Sequence, residues 1–126
     1  MDVIQITTDV ASGTAGNAAA TGFSPMMSGL VYKVVLHYDG SPPATTTVKL
    51  SDSNDPANES IVNLIGNTDV VVYPRRAMTT NSGANLTFNG TQIVPTPYCL
   101  HGNLKLSLSQ SDPGVKVSAT VYLLRG

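Results

Sequence analysis

At 126 residues and 13.1 kDa the chain has the length of one domain, enough to bury a core without disulfides. Only 12% of it is charged, and 7 basic against 8 acidic residues leave a net charge of -1, which excludes a strongly basic nucleic-acid binder and an acidic-tail protein. Polarity comes instead from 14 Thr, 12 Ser and 9 Asn, a neutral surface suited to packing against copies or partners, and no apolar run is long enough to span a membrane.

The opening Met1-Asp2-Val3-Ile4-Gln5 lacks the basic end and apolar stretch of a secretory signal. It leads into a short apolar stretch at residues 3–8, the first predicted strand. Residues 11–28, ASGTAGNAAATGFSPMMS, then show no sustained alternation. They are expected to form an irregular Gly/Ala-rich arm that orders on a partner, or else a long loop packed on its own domain. Phe23, Met26 and Met27 sit at the end of this segment, where exposure to water is costly, and are candidate interface residues.

From Leu30 the apolar period is two. Leu30, Tyr32, Val34, Leu36 and Tyr38 occupy one set of positions, against Val31, Lys33, Val35, His37 and Asp39 on the other. Successive strand side chains point to opposite faces, so this reads as a half-buried strand with the first set inward. Asp39-Gly40-Ser41-Pro42-Pro43 reads as a hairpin connection to a strand at 45–51. Residues 52–59 then gather Asp52, Asp55 and Glu59 with two amides, an oxygen-rich turn whose spacing misses the EF-hand pattern. The choice there lies between a solvated turn and a calcium loop. Strands follow at 61–65 and 70–73, separated by a turn at 66–69. Val70-Val71-Val72, apolar on both faces, suggests a central or interface strand.

Tyr73-Pro74-Arg75-Arg76 holds the only adjacent basic pair, two guanidiniums suited to clamping a carboxylate or phosphate on a neighbouring chain. Arg75 and Arg76 are therefore candidate interface residues as well. Asn89-Gly90 predicts a tight hairpin between 86–88 and 92–94. Pro74, Pro95 and Pro97 cannot donate to a ladder and mark strand ends or edges. Tyr98, Leu100, Leu104, Leu106 and Leu108 alternate with polar residues, as do Val115, Val117, Ala119, Val121 and Leu123. Asp112-Pro113-Gly114 between them has type II turn chemistry, predicting that these two long strands form an antiparallel hairpin. The expected fold is a single all-β domain over residues 1–126, an antiparallel β-sandwich of jelly-roll or other Greek-key topology.

The chemistry-bearing residues are few. Cys99 is the only cysteine, and with His101 it shares the polar face of a predicted strand. Side chains two apart on a strand project side by side rather than toward each other, and only His37 adds another N or S donor. No catalytic residue, cofactor or metal is expected. The sequons at Asn58, Asn85 and Asn89 read as by-products of a Ser/Thr/Asn-rich composition.

The succession from Gly29-Leu30-Val31-Tyr32-Lys33-Val34 through Thr45-Thr46-Thr47-Val48-Lys49-Leu50 and Val71-Val72-Tyr73-Pro74-Arg75 is similar to small structural proteins of tailed bacteriophages. The closing Asn103-Leu104-Lys105-Leu106 and Val115-Lys116-Val117-Ser118-Ala119 continue the likeness, which covers about residues 29–124. The chain resembles the decoration, or cement, proteins of phage capsids. That resemblance implies a non-enzymatic virion protein, made in the host cytoplasm, that binds the major capsid protein on the outside of the shell. It further implies self-association as a dimer or trimer, with no nucleic-acid or membrane partner. The alternative is a tail-associated or receptor-binding sandwich that recognises host glycans.

Overall fold

The structure, a computed structural model, describes residues 1–56 and 59–124. Its strands are β1 (Asp2–Thr7), β2 (Ala18–Asp39), β3 (Thr47–Asp52), β4 (Ser60–Ile65), β5 (Val70–Val72), β6 (Arg75–Ala77), β7 (Pro95–Ser111) and β8 (Lys116–Leu124). Every ladder is antiparallel, and the described residues contain no helix. The fold is an antiparallel β-sandwich.

Two long strands organise it. The order is β1-β8-β2-β7-β3-β4, with β5 on β2 and β6 on β7. The first half of β2 pairs with β7, from Ala18 opposite Ser111 to Val31 opposite Tyr98. Its second half pairs with β8, from Leu30 opposite Leu124 to Asp39 opposite Lys116, and with β5 at Val34 to Leu36. One layer is thus β1-β8-β2-β5 and the other β2-β7-β3-β4, with β2 running through both. Their inward residues form one cluster: Val34 and Leu36 from β2, Val48 and Leu50 from β3, Leu104, Leu106 and Leu108 from β7, and Val117, Val121 and Leu123 from β8. Each such side chain contributes about 1.5–3 kcal/mol on burial, so the two-residue period of β7 and β8 is enforced by the core.

Five expectations need correction. Residues 18–28 are strand, and only 11–17 of the expected arm are irregular. The inward positions of this half-strand are Ala18, Ala20, Gly22 and Ser24, too small to register as an apolar stripe. At Gly22 the lack of a side chain is required, because the end of β1 lies against it. A Cβ on Gly22 would meet the Thr7 carbonyl oxygen at 2.5 Å.

The inward set of the next half is also shifted. Leu30 and Tyr32 are exposed and Val31 is fully buried, while Val34, Leu36 and Tyr38 point inward as expected. A bulge is the cause: Val31 faces Leu123 but Lys33 faces Tyr122, so Tyr32 is an extra residue and the alternation changes phase there.

Two of the expected hairpin connections do not join paired strands. Asp112-Pro113-Gly114 does turn, with Gly114 at φ 90° and its N–H donated to the Ala11 carbonyl. Yet β7 and β8 pair on opposite edges of β2, so the turn carries the chain from one layer to the other. Residues 39–43 do the same, since β3 pairs with β7 and β4 rather than with β2. Finally, of the two readings of Val70–Val72, central or interface strand, the central one fails: β5 pairs only with β2, and Val71 is exposed.

Candidate functional site

Three surface features gather side chains with chemical or binding potential. The first is an open groove between the loop after β3 and the start of β7, lined by Asp52, Asn54, Asp55, Glu59, Arg76, Cys99 and His101. Asp52 is buried, and its carboxylate is committed to the backbone. Oδ1 accepts the Asn54 N–H at 2.9 Å and Oδ2 the His101 N–H at 3.0 Å. Asn54 Oδ1 accepts the Asn103 N–H at 3.2 Å, and the Ser53 hydroxyl donates to the Asn103 carbonyl at 2.8 Å. The loop therefore lies flat against β7, where the absence of a side chain at Gly102 admits it. A Cβ there would meet the Asp52 carboxylate and the Asn54 side chain. Glu59 Oε1 accepts from Arg76 Nη1 at 2.9 Å, and Asp55 Oδ2 accepts the Glu59 N–H at 3.3 Å. Ala57 and Asn58, with the Asn58 sequon, lie outside the described residues. Among the described residues no three Asp, Glu, His or Cys side chains converge as a metal site.

Cys99 and His101 share the exposed face of β7, as their spacing predicts. His37 lies in the other layer, where its Nδ1–H donates to Asp69 Oδ2 at 2.6 Å. Asp69 Oδ1 also accepts the Tyr38 N–H at 2.9 Å. These contacts shift both groups apart. The Tyr38 N–H, then the imidazole, lower the Asp69 pKa, while the Asp69 hydrogen bond and charge raise that of His37. Burial raises the Tyr38 phenol. The pair closes the loop before β5 onto β2. Among the described residues, no hydroxyl or thiol hydrogen-bonds to either imidazole.

The second feature is a cluster of rings and cations on the outer face of the β1-β8-β2-β5 layer. The bulge turns Tyr32 outward, where its ring meets Tyr73 edge to face at 5.8 Å. Arg75 lies over Tyr32 at 5.3 Å, and Lys33 stands 4.9 Å from the Tyr122 ring centre and 5.9 Å from that of Tyr73. Arg75 Nη1 donates to the carbonyls of Tyr32 at 3.0 Å and Pro74 at 2.7 Å, which fixes the guanidinium.

The third is the excursion between β6 and β7. Backbone bonds from Met78 N to Val94 O, Leu86 N to Met78 O and Phe88 N to Gln92 O build a loose antiparallel meander. Its Asn89-Gly90 turn is the one the sequence predicts: Asn89 Oδ1 accepts the N–H groups of Thr91 and Gln92, and Gly90 takes φ 85°. Met78, Leu86, Phe88 and Ile93 are all exposed on it.

The candidate interface residues are dispersed. Phe23 and Met26 are exposed on β2, flanking a bulge at Ser24-Pro25, and Met27 leans on the core. Arg75 and Arg76 are successive strand residues and leave opposite faces of β6, one toward Tyr32 and the other toward Glu59. The sequence predicts the hairpin within the excursion but not its exposed apolar residues, although residues 77–104 carry no Asp, Glu, Lys or Arg, a signal that marks it. The ring and cation cluster had no sequence signal, because its members are remote along the chain. No family model, curated protein or solved structure matches the chain.

Proposed function

We propose that the chain is a non-enzymatic structural protein of a virus particle that binds the outside of a phage capsid and reinforces junctions between capsid subunits. The observation that carries this reading is the uncharged excursion with Met78, Leu86, Phe88 and Ile93 held in water on a hydrogen-bonded meander. Four large apolar side chains left exposed on one uncharged excursion, Leu86 and Phe88 on one of its faces and Ile93 on the other, suit a segment that is covered by a protein partner. The neutral Ser/Thr/Asn surface around it favours wet, hydrogen-bonded contacts that tolerate changes in salt. The major capsid protein is the proposed partner, with self-association as a dimer or trimer. A protein that binds only the assembled shell stabilises that shell by mass action, and many copies add their effects. The polar groups of the groove support a non-catalytic reading, since Asp52, Asn54 and Glu59 are engaged with backbone or with Arg76.

Immunogold electron microscopy with antibody to this chain, on virus particles that encode it, tests the proposal. Label spread over heads is expected. Label confined to tails overturns it in favour of a receptor-binding sandwich, and no label on intact particles overturns both.

A further inference from the structure

We infer that the cluster of Tyr32, Lys33, Tyr73, Arg75 and Tyr122 is a docking surface for an acidic, extended segment of a partner protein. The inference rests on the proposed assembly role for its kind of partner, a protein, but it concerns a different face from the apolar excursion.

Charge comes first. The two ion pairs among the described residues are His37 with Asp69 and Arg76 with Glu59. Lys33 and Arg75 belong to neither, in a chain that has 7 basic residues in all. Both cations lie over tyrosine rings, and Arg75 is also tied to two backbone carbonyls. A cation fixed in this way has already lost much of its freedom, so a carboxylate that meets it bears less of the ordering cost. Arg and Tyr are also the side chains that dominate binding energy at protein interfaces.

Shape selects a polypeptide over a sugar. A glycan stacks on an open, flat ring, whereas here the ring surfaces turned into the cluster meet a cation or the edge of another ring. Beside them, β5 has its ladder to β2 on one edge and, among the described residues, no strand on the other. Tyr73 follows β5 directly, so an added strand would run past it with alternate side chains directed over the Tyr73, Lys33 and Arg75 face. Main-chain bonds to β5 would supply register, and carboxylates at every second position would supply specificity.

The probe is a fluorescein-labelled ten-residue peptide of alternating Glu and Val, read by fluorescence anisotropy with the full chain at low salt. Its Gln-for-Glu counterpart and polygalacturonate serve as competitors. The acidic peptide is expected to bind, to weaken as salt rises, and to resist competition by the Gln peptide. Lys33→Glu and Tyr73→Ala should each raise Kd by about tenfold or more with thermal melting unchanged, while Lys49→Glu, on the exposed face of β3, should not. Equal losses from Lys33→Glu and Lys49→Glu would reduce the effect to bulk charge and overturn the inference. So would a chain that ignores the peptide, or one that prefers polygalacturonate, which would mark an acidic-glycan site. Peptide binding and particle labelling, read side by side, separate the two proposals. A chain that labels heads but ignores the peptide would remove this surface and leave the capsid role, whereas peptide binding by a chain absent from virions would do the reverse.

Discussion

The Ser24 hydroxyl accepts the Leu104 N–H at 2.8 Å and donates to the Pro25 carbonyl at 2.7 Å, at a point where Pro25 interrupts the β2–β7 ladder. The Ser24 carbonyl in turn accepts from the Asn103 amide at 2.8 Å. Proline has no N–H to offer, so the serine side chain takes over a bond that the ladder would otherwise make. Removing it strands a buried donor, which costs about 1–3 kcal/mol. Ser24→Ala is therefore expected to lower stability by that amount in urea denaturation. A loss below about 0.5 kcal/mol, the range of an ordinary surface change, would show that water replaces the hydroxyl.

At the scale of elements, β5 is a short attachment, three residues paired on one side and closed by the His37–Asp69 contact. The sign of its pH dependence follows from the two shifts. His37 titrates above its ordinary 6.5, so its contribution is complete below that pH and disappears as pH rises through the raised value. Asp69 titrates below its ordinary 3.8, so its contribution is complete above that pH and disappears as pH falls through the lowered value. The clasp is thus fully closed between about pH 4 and 6.5. Both side chains are solvent-exposed, so the effect is local. Asp69→Asn removes the partner charge and should bring the His37 midpoint back down toward its ordinary value, as followed by NMR of the imidazole protons. An unchanged midpoint in that variant would assign the shift to another group, and Asp39 is the other charge that raises it.

For the whole molecule, the apolar excursion and the core make opposite demands. Leu106 is fully buried among residues from both layers, whereas Phe88 and Ile93 stand in solvent on the excursion. Replacing Phe88 and Ile93 together by Ser should leave folding stability within about 0.5 kcal/mol of the wild type. The same variant should lose co-sedimentation with capsids. Retained co-sedimentation would move the capsid contact away from this excursion.

The fold class was legible because β7 and β8 carry apolar residues at every second position, the inward ones, and turn residues at their ends. That period survives in any strand that covers a core, whatever its neighbours. What the sequence could not state is which strands meet. The Asp112-Pro113-Gly114 turn is locally correct whether it joins paired strands or crosses between layers, and only β2, lying between β7 and β8, decides the matter. The same holds for residues 18–28, where Gly22 has to lack a side chain because the end of β1 lies against it, and for Tyr32, whose direction depends on a bulge against β8. The functional surfaces divide in the same way. An uncharged run is a property of consecutive residues, so the excursion was present in the sequence for a reader who counted charges. The cluster at Tyr32, Tyr73 and Tyr122 joins strands far apart in the chain, and its position exists only once long-range pairing has placed them side by side.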